Sequence, residues 1–430
     1  MRHPDDLKQR GQVHAGTRIA FLAMLAVSLG SAAGTTAMQS LLPSIGRSTG
    51  IADNLVVSIS CLSALLSIFA APFWSRKVTI NGEKRITLLG VAGVVLAMSG
   101  TGLVIIIGMR YDWSPLAILV ALILARALYG VLGLASQPAV QTYIGCRTPL
   151  ERRTSAMALF ASMWGLGSIL GPAVAPFLMG DELGLGGPFF AFAVIAFITG
   201  LLVWRVVPDT PPVPAPAVKR SSVRELFDRT TAPFILYGAI TGIVSASANQ
   251  TVGFVVIDQL HIAPAAAAVA IGMMMTVGAS ATLVAQWGLV NLLNLRPVQL
   301  MRWGALIGMG GSLLQAAAVD SYPLMMIGFG IVSLGFGMTR PGFIAGASLA
   351  VPSERQAEVA GGTSAVGAFG LVIGPMAALT LYQWDRQLPF LLGGALMATM
   401  ALYAFASPRL HSYGKGHEPP IAPPELEVGR

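Results

Sequence analysis

The sequence predicts an all-α membrane protein: twelve transmembrane helices arranged as two pseudo-symmetric six-helix bundles. Three observations predict it. Charged residues make up 11% of the 430 residues and hydrophobic ones 54%, with a mean hydropathy of +0.71. A soluble domain carries roughly 25% charge, so this much apolar surface needs lipid as its solvent. Apolar runs of roughly the 20 residues that a spanning helix requires then recur along the chain. Finally, the stretch from Pro138 to Pro172 has a counterpart from Pro341 to Pro375, with every matched pair 203 residues apart.

Taken in order, the candidate spans fall near 18–42, 53–75, 86–108, 115–141, 153–179 and 188–207. A second set falls near 232–257, 263–288, 302–319, 322–347, 357–382 and 387–407. The first run is too long for the core of a signal peptide and many spans follow it, so it is read as a retained helix. The layout is then an N-terminal segment at 1–17, a first bundle at 18–207, a linker at 208–231, a second bundle at 232–407 and a tail at 408–430. Pro211, Pro212, Pro214 and Pro216 make the linker an extended connector. A charged run from Lys219 to Arg229 follows them. The tail, with Pro419, Pro420, Pro423 and Pro424, reads as disordered.

Orientation follows from where Lys and Arg lie. Arg2, Lys8, Arg10, Arg18, Arg76, Lys77, Lys84, Arg85, Arg147, Arg152 and Arg153 all fall on one side of the first six spans. Lys219, Arg220, Arg224, Arg229, Arg296, Arg302, Arg355, Arg409 and Lys415 continue that side through the second six. The opposite loops hold only Arg47, Arg110 and Arg386, beside Asp53, Asp112, Asp181, Glu182, Asp258, Asp320 and Asp385. Twelve spans with both termini in the cytoplasm satisfy this alternation. The net charge of +8 is therefore topological, and nucleic-acid binding is not needed to explain it.

The repeat carries the motifs. Its first copy holds Pro149, Glu151 and Arg152, then Gly167-Ser-Ile-Leu-Gly171-Pro172. Its second holds Pro352, Glu354 and Arg355, then Gly370-x-x-x-Gly374-Pro375. Glycines one turn apart let two helix backbones approach closely, and the proline after them removes a backbone donor and bends the helix. This reads either as a hinge or as small-residue packing. In span four, Arg126-x-x-Tyr129-Gly130-x-x-Gly133 puts a guanidinium near the bilayer midplane, eleven residues from the start of the span. A charge there costs about 2.5–3.5 kcal/mol even on lenient scales, so it should face water or a partner inside the bundle. The loop between spans two and three reads Thr79-Ile80-Asn-Gly82-Glu83-Lys84-Arg85.

On these three motifs the chain resembles the major facilitator superfamily, specifically its twelve-helix drug:proton antiporter branch, over about 18 to 407. The Gly167–Pro172 stretch is similar to the family's antiporter motif, and the Arg126 stretch to its intramembrane arginine motif. The loop is similar to the family signature through Gly82, Lys84 and Arg85. It departs from that signature where Thr79 and Ile80 replace the usual Asp-Arg pair, which puts the family's cytoplasmic gating network in doubt. The resemblance implies a role for Arg126 in proton coupling or in binding polar substrate.

Half-symmetry locates a candidate cavity. Span one reads Thr36-Ala-Met-Gln39-Ser40 and span seven Ser247-Ala-Asn249-Gln250-Thr251. Ser31, Thr35 and Gln39 recur every four residues and share one helix face. Amides do not turn towards lipid, so Gln39, Asn249 and Gln250 are expected either to line the cavity with Arg126 or to glue helices together. Trp164 and the run Met273 to Met275 could supply an adaptable apolar wall or plain packing. The candidate acids are Asp53 and Asp258, both near the external ends of their spans; Asp258, three residues from His261, reads either as a proton site or as a solvated interfacial carboxylate. Span one has no acid, and all five histidines sit outside the spans.

No phosphate-binding G-x-x-x-x-G-K-[ST] occurs, and no nucleophile–base or metal-ligand constellation. Cys61 and Cys146 give neither a disulfide framework nor metal spacing. The expectation is a monomeric transporter in a bacterial-type inner membrane, with no enzyme activity, cofactor or metal. Its partners would be the lipid bilayer, a small-molecule substrate and protons. Export of a drug-like compound or a secreted metabolite such as a siderophore leads. Proton-coupled import of a nutrient or organic acid is the alternative, and a sensor or scaffold without transport comes last.

Overall fold

The computed structural model describes residues 4–148, 150–209, 230–293, 295–351, 356–408 and 410. Most of the expected linker, most of the tail, and Pro149, Pro352, Glu354 and Arg355 of the repeat lie outside the described residues.

Among the described residues every regular element is helical. The helices are α1 (Pro4–Ser48), α2 (Asp53–Asn81), α3 (Glu83–Arg110), α4 (Pro115–Val131), α5 (Ser136–Arg147), α6 (Leu150–Val174) and α7 (Gly187–Val206). They continue as α8 (Ala232–Leu260), α9 (Pro264–Leu283), α10 (Pro297–Ala317), α11 (Tyr322–Leu349), α12 (Gln356–Trp384) and α13 (Leu388–Ala406). A short 3-10 turn, Gly133–Ala135, joins α4 and α5 into one rod, so the described residues form twelve rods. Ten of them are long and apolar enough to cross a membrane. Of the two expected spans below that measure, α10 interrupts its apolar face with Arg302, and α12 offers only the stretch Phe369–Trp384.

The sequence explains the starts of these helices. Proline occupies the first turn of α4, α7, α8, α9, α10, α11 and α13. There its missing N–H has no partner to lose and its fixed φ suits the helix. At α4 the Ser114 hydroxyl also accepts from the Ala117 N–H at 3.3 Å. The expected boundaries are corrected mainly at the ends. The first helix begins at Pro4 and runs to Ser48, well beyond 18–42, because a helix continues past the apolar stretch that lipid covers.

Two breaks fall inside rods. At the α4–α5 joint, α3 presses in so closely that a side chain at Gly93 would meet Leu132 and Gly133. The turn frees the Val131 carbonyl, which accepts from the Trp74 indole N–H at 2.5 Å. In the rod of α9, a π-helical turn spans Val284–Leu289 before the last turn, Val290–Leu293.

Helices α1 and α8 are the most enclosed of the ten apolar rods, with 56% and 67% of their apolar windows buried. Around α1 pack α6 and α7; around α8 pack α12, α11 and α13. Contacts between the first six rods and the last six run through α2–α12, α6–α9, α1–α9 and α1–α8.

Candidate functional site

The GxxxGP copies set the two innermost pairs. A side chain added at Gly167 or Gly171 would collide with the Leu29 and Ala33 carbonyls of α1. One added at Gly374 would sit 2.5 Å from the Ile243 carbonyl of α8, and one at Gly370 2.8 Å from Gly242. So each copy lays its helix, α6 or α12, backbone to backbone on the central helix of its own set. The proline end of the first copy faces the other set: a side chain at Gly272 of α9 would lie 2.6 Å from the Pro172 carbonyl.

Arg126 lies on α4, which packs against α2 and α3. It is 5% exposed, and its Nε has no hydrogen-bond partner. Among the described residues no carboxylate lies within ion-pair distance of it. Its guanidinium carbon stands 4.4 Å from the centre of the Tyr129 ring, one turn further along α4. The Tyr129 hydroxyl and the Thr35 hydroxyl of α1 share a 2.7 Å hydrogen bond, and Thr35 donates on to the Ser31 carbonyl at 2.8 Å. The ring therefore supports the charge and is itself fixed by α1. This network carries a cation without an anion, in a place where isolated charge is costly.

The amides chosen from sequence behave differently from one another. Gln39 is partly exposed on the Thr35 face of α1. Asn249 is exposed although five helices pack around its own, and its amide donates to the Ser245 carbonyl one turn back at 2.8 Å. Gln250 is 6% exposed, with its Nε2 unpartnered. No hydrogen bond among the described residues joins these three to one another or to Arg126; the group that Arg126 does join is Tyr129 and Thr35. Ser247, Thr251, Ser312 and Gln315 line a small, mainly apolar cavity inside the last six rods, together with Val244, Ala248 and Phe390. Met274 and Met275 are core residues, 0% and 8% exposed, whereas Met273 points outward at 56%. Trp164 is partly buried.

Asp258 is not a freely solvated carboxylate, nor is His261 its partner. Tyr382 of α12 donates to its Oδ2 at 2.6 Å, and Arg47 of α1 approaches its Oδ1 at 3.3 Å. Arg47 is at the same time gripped by Asp53 of α2, with Nε to Oδ1 at 2.7 Å and Nη2 to Oδ2 at 2.6 Å. The sequence puts Arg47 and Asp53 on the basic-poor side and does not by itself pair them. The available signal was an arginine on a side nearly devoid of them, six residues from an acid. Nearby, a side chain at Gly253 of α8 would lie 2.5 Å from the Pro43 ring of α1.

At the other end of the rods, Gly82 takes φ +83°, a left-handed value open to glycine, and turns α2 directly into α3. Glu83, which interrupts the expected signature, is 2% exposed and lies 3.5 Å from Arg147 of α5. Arg147 also stacks 4.5 Å from the Tyr143 ring. Lys84 pairs with Asp209 at 3.5 Å. Arg85 is exposed. Glu83 thereby ties α3 to the end of α5. No cluster of metal-binding side chains occurs among the described residues.

The sequence profile described as Major Facilitator Superfamily matches residues 20–375. Multidrug resistance protein 2 of Bacillus subtilis (strain 168) is 24% identical over 369 residues, covering 83% of this chain and 87% of that protein. The protein named "Probable anion transporter 3, chloroplastic" of Arabidopsis thaliana is 27% identical over 180 residues, and the chain spans 33% of its length. In fold, the chain is similar to a bacterial homologue of the human lysosomal transporter Spinster, solved inward-facing and unoccupied. That match has a TM-score of 0.69 at 13% identity, covering 93% of this chain and 97% of that one.

Proposed function

The chain belongs to the Major Facilitator Superfamily, a multi-pass membrane transporter and not an enzyme, and from that footing we propose proton-coupled export of a small organic compound. Twelve spans in two six-helix bundles, 18–207 and 232–407, would rock about a central site that opens to each side in turn. The basic-rich end at Gly82 would face the cytoplasm, with both termini, and the Arg47 end the outside of an inner membrane. The working unit would be a single chain.

The observation that carries the reading is Arg126: a buried cation without a carboxylate among the described residues, steadied by Tyr129, which Thr35 of the central helix α1 holds in turn. A site of this kind favours substrates with an anionic or strongly polar group, because such a group supplies the missing partner. Gln39, Asn249 and Gln250 would add hydrogen bonds from α1 and α8. The match to a multidrug resistance protein over most of both chains supports export over import. The membrane potential contributes about 2.3 kcal/mol per charge per 100 mV, enough for roughly a fiftyfold gradient of a neutral solute.

The test is flux in everted membrane vesicles, using a panel of anionic, neutral and cationic fluorescent compounds. Acidifying the lumen should drive uptake of at least one compound, with anionic ones preferred, and collapsing the pH gradient should stop it. Uptake that survives that collapse and needs ATP would overturn the proposal. Accumulation by intact cells instead of vesicles would reverse the direction and leave the import reading.

A further inference from the structure

We propose that Arg340 and Gln137 form a second anion-binding subsite, at the cytoplasmic mouth, which holds the acidic group of an organic anion before it reaches Arg126. The inference deepens the transporter reading above and rests on its two facing bundles, but not on proton coupling.

The two residues are counterparts in the repeat: Gln137 precedes Pro138 and Arg340 precedes Pro341, 203 positions apart. Halves related by an axis along the membrane normal put such counterparts at equal depth, on opposite sides of that axis. The helix faces agree. Along α11, Phe329, Ser333, Phe336 and Arg340 follow one another at helical spacing and share a stripe. Its first part is buried on α9, where a side chain at Gly278 would meet Phe329 and lie 2.8 Å from the Ser333 Oγ. Phe336 is buried too, but Arg340 on the next turn is exposed, and so is Ile344 beyond it. At that level a side chain at Gly337 would lie 2.6 Å from Ala285 of the α9 rod, and one at Gly238 of α8 would lie 2.6 Å from the Phe343 ring. Arg340 therefore opens between α8 and α9, not towards lipid. The matching stripe along α4 and α5 is buried at Arg126, Gly130 and Gly133, half-buried at Gln137 and exposed at Gln141.

The polar ends on these two stripes are donors in want of an acceptor. The Gln137 Nε2 is buried without a hydrogen-bond partner, as is the Arg126 Nε. Among the described residues no carboxylate lies within ion-pair distance of Arg340. Arg340 stands nine residues before the end of α11 (349 − 340), about 14 Å of helix rise inside it. A cation at such a position turns to water or to a partner within the bundle. The ligand that completes this set brings acceptors and negative charge: a carboxylate, sulfonate or phosphate, which a guanidinium grips with two parallel bonds. Gln137 adds one further donor to the same group. Arg126 lies eleven residues deeper than Gln137 (137 − 126), about 16 Å along its rod. Two cations at different depths divide the entry of an anion into two shorter steps.

The test reads the local potential in the full chain in lipid nanodiscs, without a gradient. Cys61→Ala and Cys146→Ser clear the background, and one thiol is placed at Gln141→Cys, the exposed counterpart of Ile344 across the mouth from Arg340. Its rates with two methanethiosulfonates of similar reach are compared, the anionic sulfonatoethyl and the cationic trimethylammonioethyl reagent. Arg340→Gln should lower the anionic-to-cationic ratio about tenfold, and Arg340→Lys should keep most of it. The native Cys146, on the other side of α5, should keep its own ratio in Arg340→Gln when it is the single thiol. Naphthalene-2-sulfonate should slow anionic labelling of Gln141→Cys, whereas uncharged 2-naphthol should not. Gln137→Leu should weaken that protection severalfold and leave the unprotected ratio unchanged.

A ratio at Gln141→Cys that ignores Arg340→Gln would overturn the subsite, because the guanidinium would then lie outside the mouth. Equal protection by the two naphthalenes would overturn it as well. If Arg340→Gln does not accumulate folded, protection by the sulfonate in the parent and in Gln137→Leu decides, and protection that is absent or unaltered by Gln137→Leu overturns it. Charge-selective labelling and protection without proton-driven flux would remove the export reading and leave the subsite standing. Proton-driven flux of an organic anion with neither would do the reverse.

Discussion

Replacing Arg126 by Met should make the protein more stable and its transport slower at once. The guanidinium is 5% exposed and lacks a carboxylate among the described residues. A charge so placed costs about 2.5–3.5 kcal/mol. The Tyr129 ring 4.4 Å away returns up to about 2 kcal/mol when the pair is desolvated. Met keeps the unbranched stem and removes the charge, so the fold should gain roughly 1 kcal/mol. The Tyr129–Thr35 hydrogen bond does not involve Arg126 and should survive. An anionic substrate would lose a charge-assisted bond of about 1.5–3 kcal/mol, or roughly ten- to a hundredfold in flux at low concentration. The assays are equilibrium unfolding by SDS titration in bicelles and vesicle flux. A variant that unfolds earlier than the parent yet transports at the parental rate would refute this reasoning, since Arg126 would then be a structural cation. Arg126→Lys separates shape from charge: a retained stability cost with reduced flux is expected, because an ammonium cannot reproduce the planar fork.

Gly171→Leu should reach the membrane normally but fail to transport, since α6 must move off α1 by more than packing tolerates, at about 1–3 kcal/mol; Gly180→Ala, which has open space, should change stability by less than about 0.5 kcal/mol. Glu83→Gln should lower stability by about 1 kcal/mol in the same SDS titration, a modest figure because Arg147 is 24% exposed. An impermeant maleimide should label the exposed Cys146 in everted vesicles and not in intact cells, while the buried Cys61 stays unreacted in both; the opposite sidedness would invert the orientation.

Much of this was legible in the sequence, for reasons that differ from element to element. Gly167, Gly171, Gly370 and Gly374 announce close helix crossings because nothing larger fits, and the structure places all four against a central helix. Helix starts could be read from proline. Arg126 is conspicuous because a cation in an apolar run must find water or a partner inside the bundle. What escaped notice depends on distance in three dimensions. Asp258 and Tyr382 are 124 residues apart, and Arg47 and Asp258 are 211 apart; no periodicity links them. Tyr129 was read as part of a motif, but that its ring carries Arg126 while its hydroxyl meets Thr35 follows from the rotation of α4 against α1. Hydropathy also blurs where a rod packs mainly against protein, as α10 does with Arg302 donating to the Ala404 carbonyl at 2.9 Å.

The most direct measurement is the water access of Asn249, the exposed amide on the most enclosed helix. With Asn249→Cys in a Cys61→Ala, Cys146→Ser background, a small charged thiol reagent should react from the cytoplasmic face, and a transported compound should protect the site. A thiol that reacts only with a lipid-soluble reagent, with or without compound, would mean that position 249 faces hydrocarbon and that no central chamber exists.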